Sequence, residues 1–316
     1  MTGMSCLVTG GAGFIGSHVT DRLVRDGHRV RVVDNLSTGD LRNLDQSRPR
    51  VDFVLGDLTD PAVCREVVQG VEVIFHLAAL PSVPRSMQDP WGSYRHNVEA
   101  TMHLLLAACE AGVRRIVYSS SSSVYGDTPT LPKVETMEPL PKSPYAAAKL
   151  SAEQFVLAFG RAGMVEGVAL RYFNVFGPRQ SPTSAYAAVI PVFLAAARDG
   201  TPAPVNGDGM QTRDFTHVDN VVEANLLAAT RPTELVNGVP FNLGAGERTS
   251  LLDLLELVSG VTGKRVAAEH LPPRAGDVRD SLASLERAEA GLGYRVLVSL
   301  PEGLKRTWEW FQGGAG

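Results

Sequence analysis

The stretch Ser5-Cys6-Leu7-Val8-Thr9-Gly10-Gly11-Ala12-Gly13-Phe14-Ile15-Gly16 runs from a short apolar segment straight into a glycine-rich turn, and an amphipathic segment, residues 19–26, follows it. Strand, tight turn and helix in that order are the context in which such a turn binds a dinucleotide. Gly10, Gly13 and Gly16 would allow the sharp turn, approach of the backbone to a pyrophosphate and close packing of the helix, whose N-terminus offers free amides to the anion. The motif alone also fits a glycine turn with no ligand. The next strand, residues 29–34, ends at Asp34, 18 residues past Gly16. A carboxylate there accepts hydrogen bonds from an adenosine ribose and repels a 2′-phosphate, which favours NAD over NADP. Taken by itself, Asp34 reads equally well as a turn residue before Asn35.

Outward from this unit the pattern repeats. Short β-branched or apolar runs at 52–54, 73–77 and 115–119 alternate with amphipathic stretches at 61–69 and 98–111. Strand alternating with helix predicts a parallel sheet covered on both faces, and runs that are apolar throughout suit strands buried on both sides. Ser143-Pro144 places a cap before a proline at the first helical position, so an alanine-rich helix should run from there to about Gly160, with a strand at 168–172 after it. Beyond Asn174 prolines and glycines interrupt the pattern, and helices follow near 251–261 and 300–311. The fold class is therefore α/β, a Rossmann-type doubly wound parallel sheet with a smaller α+β lobe. Residues 1–174 form the dinucleotide domain, with 211–240 returning to it, and 175–210 and 241–316 form the second lobe.

Bulk composition narrows the function. The 316 residues carry a formal charge of −4, with lysines and arginines scattered singly, which gives no footprint for nucleic acid or an anionic membrane. No apolar run approaches the length of a membrane span, and no leader precedes Ser5, so neither insertion nor export is expected. Cys6, Cys64 and Cys109 are odd in number and lack metal-ligand spacing, which fits a reducing cytoplasm and neither disulfides nor a metal. A small-molecule partner is expected.

Tyr145-Ala146-Ala147-Ala148-Lys149 sets a phenol and an ammonium four apart on one helix face. A nearby cation, joined by a positively charged nicotinamide, would lower the phenol's pKa and turn a weak base into an acceptor of a sugar hydroxyl proton. The same spacing occurs on solvated helix faces. Ser119–Ser123 come directly off an apolar strand and precede Val124-Tyr125-Gly126, so hydroxyls stand at a strand's carboxyl end, where ligands of such sheets bind. Asp57-Leu58 and Leu77-Ala78-Ala79 stand at the ends of two further strands, although Leu77 reads equally as core.

With these residues in hand, the sequence resembles the UDP-galactose 4-epimerase family, most closely its bacterial UDP-N-acetylglucosamine 4-epimerases. The resemblance covers nearly the whole chain and rests on residues 9–18, 34–36, 56–58, 76–79, 119–127, 143–149, 171–177, 207–219 and 274–277. It implies that Tyr145 is the base, that Lys149 binds the nicotinamide ribose, and that Ser121 bridges to the sugar O4. Hydride would pass from C4 to NAD, and the 4-keto sugar would turn over and take the hydride back on its other face, so the cofactor need not leave. Cofactor contacts implied in the same way include Phe14, Ile15, Asn35, Ser37, Thr38, Gly39, Asn97, Ser119 and Tyr172. The sugar nucleotide is assigned Ser82, Asn174, Val189, Val205, Asn206, Arg213, Arg274 and Asp277. Two arginines suit a diphosphate, although Arg213 beside Asp214 also fits a structural ion pair. Ser281, at the position that limits sugar size, leaves room for an N-acetylated hexosamine. Homodimerisation through 98–111 and 145–160 is implied too.

The sequence departs from the family at Ala100, where glycine is usual, and at Ala187-Ala188, where some relatives offer the sugar a polar group. UDP-glucuronate 4-epimerase is the nearest rival reading. A nucleotide-sugar 4,6-dehydratase would need an acid beside Ser121, where Ser122 and Ser123 stand instead, and a non-catalytic NAD-binding sensor would not need Ser121, Tyr145 and Lys149 together.

Overall fold

A computed structural model describes residues 3–182, 188–272 and 278–313. The first half builds β1 (Ser5–Thr9), α1 (Phe14–Arg25), β2 (Arg29–Asp34), β3 (Val51–Leu55), α2 (Pro61–Val67) and β4 (Val73–His76). It continues through α3 (Val83–Gln88), α4 (Pro90–Tyr94), α5 (Ala100–Glu110), β5 (Arg115–Ser121), α6 (Pro144–Arg161) and β6 (Glu166–Tyr172). A wider helical turn, Arg95–Glu99, joins α4 to α5, so the helix expected from residue 98 is preceded by two short helices that composition did not announce. Capping of α6 is as its sequence predicts: Ser143 Oγ accepts from Ala146 N at 3.1 Å with Pro144 behind it.

The second half contributes β7 (Val175–Phe176), α7 (Val189–Asp199), β8 (Ala203–Asn206), β9 (Thr212–Arg213), β10 (Thr216–His217), α8 (Val218–Thr230) and α9 (Thr233–Val236). It closes with β11 (Val239–Leu243), β12 (Thr249–Ser250), α10 (Leu251–Thr262), β13 (Ala268–Leu271) and α11 (Leu300–Gln312).

Seven parallel strands form one sheet in the order β11-β6-β5-β4-β1-β2-β3. Alternate residues of each strand feed opposite cores, which is why these runs read as apolar throughout. Val8, Val32, Phe75 and Val117 face the layer containing α1 and α8, whereas Leu7, Val33, Ile74 and Ile116 face α2, α5 and α6. A third core, with Phe193, Leu254, Leu304 and Trp308, packs α7, α10 and α11 into the smaller lobe. The returning segment supplies α8 against α1 and β11 against β6, and so reaches Leu243 before the chain leaves the sheet.

Topology then fixes where a ligand lies. β1 and β5 sit on either side of β4 and their outgoing connections diverge, so the carboxyl ends of β1, β2, β4, β5 and β6 open onto one crevice.

Candidate active site

That crevice is a cavity of about 560 Å³ running from the glycine turn to the smaller lobe. At one end Gly10 has φ +66°, and a Cβ on it would come within 2.8 Å of the Ala78 backbone. On Gly16 a Cβ would meet the Gly10 carbonyl oxygen at 2.1 Å, so the turn and the first turn of α1 are pressed together as only glycine allows. No side chain caps α1 and no acidic residue sits in its first turn, which leaves its leading amides to an anionic ligand. Gly13, Phe14 and Ile15 line the cavity there.

Asp34 closes this end. Its Oδ2 accepts from Ala12 N at 3.0 Å and its Oδ1 from Leu36 N at 2.8 Å, so the carboxylate is fixed at the rim. Burial pushes its pKa up, and those two backbone bonds act the other way. Gly39 stands against this carboxylate without lining the cavity, whereas Asn35, Ser37 and Thr38 line it. Asn35 Nδ2 donates to Asp57 Oδ2 at 2.9 Å, and Thr59 N donates to Asp57 Oδ1 at 2.9 Å. Burial works against the Asp57 carboxylate, yet these bonds hold its pKa below the ordinary value. The whole cradle of bare amides, close backbone and fixed ribose-height carboxylate fits a dinucleotide without a 2′-phosphate.

The middle of the cavity holds the reacting residues. Ser121 at the end of β5, Tyr145 on the first turn of α6 and Lys149 one turn on all line it, as do Leu58, Leu77, Ala78, Ala79, Ser119 and Tyr172. Ser121 Oγ accepts from Ser123 Oγ at 2.9 Å and from Ser123 N at 3.2 Å, which leaves its own hydrogen to turn toward Tyr145, whose pKa Ser121 lowers. Burial raises the Tyr145 pKa and the Ser121 bond opposes it. Lys149 is buried, its Nζ lies 4.4 Å from the centre of the Tyr118 ring, and burial lowers its pKa to about 7. Burial therefore disfavours the charged form of both groups, the phenolate of Tyr145 and the ammonium of Lys149.

Lys149 has a neutral floor beneath it. Thr101 Oγ1 donates to the Asn97 carbonyl at 2.7 Å, so it accepts from His76 Nε2 at 2.9 Å, and His76 Nδ1 then accepts from Thr9 Oγ1 at 2.7 Å. Burial, with Lys149 nearby, takes His76 down to about 3, which keeps the ring neutral. Thr9 Oγ1 also accepts from Ala78 N at 3.1 Å, tying this chain to the cavity wall.

At the far end Asn174, Arg213 and Ser281 line the cavity. Asn174, at φ +26°, donates from Nδ2 to Ser281 Oγ at 3.1 Å and to the Asp214 carbonyl at 3.2 Å. Arg213 Nη1 donates to the carbonyls of Thr212 and Arg279 at 2.9 and 2.8 Å. The Asp214 carboxylate accepts from the amides of Ala245, Gly246 and Ala283, and burial raises its pKa to about 6.

Several expected contacts lie elsewhere. Ser82 does not line the cavity; its hydroxyl caps α3, accepting from Arg85 N at 3.2 Å. Asn97 is buried behind the wall, donating to Ser93 O at 2.8 Å and Leu80 O at 3.3 Å, and its Oδ1 has no partner. Val205 belongs to the core of the smaller lobe, with Val189 packed against that core, and the Asn206 carbonyl accepts from Gln211 Nε2 at 2.6 Å. Arg274 and Asp277 lie outside the described residues. In turn, His96, Lys133, Lys142 and Asp280 line the cavity although their sequence context carries no signal beyond charge.

A doubly wound sheet whose switch-point crevice joins a dinucleotide cradle to a serine, a tyrosine and a lysine defines an enzyme that moves hydride and proton at a carbinol carbon. The chain matches the NAD dependent epimerase/dehydratase family over residues 6–244 and belongs to it. It is 40% identical over 313 residues to the UDP-glucose 4-epimerase of Mycolicibacterium smegmatis, covering 98% of this chain and 99% of that one. Among solved structures it is similar to the UDP-N-acetylglucosamine 4-epimerase of Methanobrevibacter ruminantium in complex with UDP-N-acetylmuramic acid, at TM-score 0.94 and 37% identity, with 99% of each chain covered. The Thermus thermophilus UDP-glucose 4-epimerase complex with NAD aligns at TM-score 0.90 and 34% identity, covering 99% of this chain and all (100%) of that one.

Proposed function

We propose that the chain interconverts UDP-hexoses that differ at C4, keeping NAD bound throughout. The observation that carries this reading is that Ser121, Tyr145 and Lys149 open onto one cavity with the Gly10–Gly16 turn at one end and Asn174, Arg213 and Ser281 at the other.

NAD, which the Gly10–Gly16 turn, Asp34 and Lys149 would hold, would supply the hydride acceptor and donor for the sugar C4 together with a positive charge. Tyr145 takes the O4 proton in one direction and gives it back in the other. Ser121, already an acceptor from Ser123, donates its own hydrogen to the sugar O4 or the phenol and so carries the proton across the short gap between them. Lys149 orients the nicotinamide ribose and stabilises the phenolate. Arg213 and Asn174 hold the diphosphate end. The residues beside Ser121 are hydroxyls, so nothing there drives elimination of water from the keto sugar.

Ser281 supports acceptance of N-acetylated as well as plain hexoses, since a short side chain that accepts from the Asn174 amide lines this end of the cavity where a bulkier one would intrude on it. Residues 3–174, the returning 211–243 and the 288–294 segment packed on the same core act as the cofactor lobe, and α7, α10 and α11 with β8 and β13 as the sugar-nucleotide lobe. Trp91, Leu106 and Phe155 on α4, α5 and α6 are 67%, 47% and 41% exposed, an apolar set that suits pairing of two copies through these helices. No helix among the described residues is long and apolar enough to cross a membrane. Cys6, Cys64 and Cys109 are free, and burial raises the first two thiols to about 12, which keeps them protonated and unreactive.

Incubation with UDP-glucose, UDP-N-acetylglucosamine and UDP-glucuronate in turn, with no added cofactor, tests the reading. Conversion to the C4 epimer of the first two is expected, with NAD released on denaturation. Bound NAD without turnover of any of the three would refute it.

A further inference from the structure

Ser120, Arg171 and Asn242 are Cα partners across β5, β6 and β11, so three polar residues stand in one row near the carboxyl end of the sheet. All three are buried, as is Glu153 on α6. Ser120 Oγ donates to Glu153 Oε2 at 2.6 Å, while Arg171 donates from Nε to Oε2 at 3.0 Å and from Nη2 to Oε1 at 2.6 Å. The remaining Arg171 nitrogen, Nη1, donates to Tyr125 Oη at 2.8 Å, and Tyr125 donates to Asn242 Oδ1 at 2.6 Å. Asn242 Nδ2 in turn donates to the Lys133 carbonyl at 2.9 Å.

A buried ion pair carries a desolvation penalty that well-packed apolar residues would avoid, and it can in return fix one arrangement of its neighbours. The chain order shows what this pair fixes. Ser120 immediately precedes Ser121, and Tyr125 closes the single helical turn, Ser122–Tyr125, that follows it. Glu153 therefore grips the chain just before the catalytic serine, and Arg171 grips it at the end of the turn. Within the turn Ser123 donates from both Oγ and N to Ser121 Oγ, so the placement of the turn sets where the Ser121 hydroxyl points. The Tyr125 ring is held too, clustered with Phe173 and Ala283 and with the Arg171 guanidinium carbon 4.9 Å from its centre.

We propose that Ser120 and Tyr125, anchored by the Glu153–Arg171 pair, are positioning residues that clamp the Ser121–Tyr125 turn at both ends and hold the Ser121 hydroxyl toward Tyr145. This rests on the role given to Ser121 under the proposed function.

Ser120→Ala and Tyr125→Phe each remove one hydroxyl of the clamp and leave the ion pair. In the holoenzyme each should lower kcat about tenfold with KM for the UDP-hexose within about twofold, because each hydroxyl is already engaged by Glu153 or Arg171. Y125F leaves Arg171 Nη1 and Asn242 Oδ1 without a partner, so S120A, in which Arg171 still binds both Glu153 oxygens, is the safer folder. Each is repeated in a Ser121→Ala background, where neither should lower kcat by more than about twofold further, since no hydroxyl remains to be placed. Equal losses with and without the Ser121 hydroxyl overturn the proposal, as does an unchanged kcat in either folded variant. Hydrogen exchange of the full chain, read by mass spectrometry, needs no turnover. The segment 121–126, whose Ser123 and Gly126 amides are bonded within the turn, should exchange about tenfold faster in S120A and Y125F, with residues 115–119 unchanged. Exchange as slow as in the wild type refutes the clamp, and equally faster exchange along all of β5 marks a merely structural role and refutes it as well. A wild-type chain that converts no UDP-hexose refutes the reaction instead and leaves the exchange to decide the clamp.

Discussion

Replacing Lys149 by methionine should make the cofactor-free chain more stable while abolishing its activity. Lys149 is 2% exposed, and its pKa falls from an ordinary 10.5 to about 7 because burial penalises the charged form. The folded chain therefore holds fewer protons than the unfolded chain between about pH 7 and 10.5, and stability attributable to this residue rises with pH across that window. Below about pH 7 the penalty is fully present, and the gap from 10.5 corresponds to about 5 kcal/mol as a ceiling. By pH 9 about 2 kcal/mol of it remains. Methionine has similar length and no charge, so the difference in unfolding free energy between K149M and wild type should shrink by about 2–3 kcal/mol between pH 6 and pH 9. Packing differences add a constant to both ends and leave that change untouched. Urea unfolding at a series of pH values measures it, with turnover of UDP-hexose by the holoenzyme followed in parallel. A stability difference that does not vary with pH would show that Lys149 is not a strained, buried ammonium, and the account of how it tunes Tyr145 would fall with it.

Three further outcomes follow from the same geometry. Tyr145→Phe should lower kcat by about 10²–10⁴-fold while leaving bound NAD in place, because it removes a proton carrier and no cofactor anchor; unchanged conversion of every UDP-hexose would rule out the phenol as base. Gly10→Ala should lose most of its bound NAD and melt at lower temperature, since its Cβ would meet the Ala78 backbone at 2.8 Å from a φ of +66°; NAD content by absorbance after denaturation, with a thermal melt, reads both. Ser281→Tyr should cut kcat/KM for UDP-N-acetylglucosamine by at least about tenfold more than for UDP-glucose, because the ring would intrude on the cavity that Ser281 lines. Equal losses for the two sugars would show that this position does not gauge sugar size.

Much of this was legible without coordinates, for a local reason. The turn after β1, the carboxylate at the end of β2, the Ser143-Pro144 start of α6 and the Tyr145/Lys149 spacing are each set by φ/ψ needs or helical period within a few residues, and backbone preferences act at that range. Strand–helix alternation likewise determined a parallel sheet covered on both faces, and with it the crevice where the ligands meet.

What only the tertiary structure decided are the distances and the dielectric. Ser82 caps α3 and Asn97 points behind the cavity wall, and neither role shows in residue type. Lys133 reaches the cavity because its backbone bonds to Leu282 and Ser284 across about 150 residues of chain. Above all, the partnership of Glu153 with Arg171 and the burial that weakens both Lys149 and Tyr145 arise where three strands and a helix exclude water together. Desolvation depends on everything packed around a group, so a spacing of four along a helix names the pair without saying how strongly either side chain is charged.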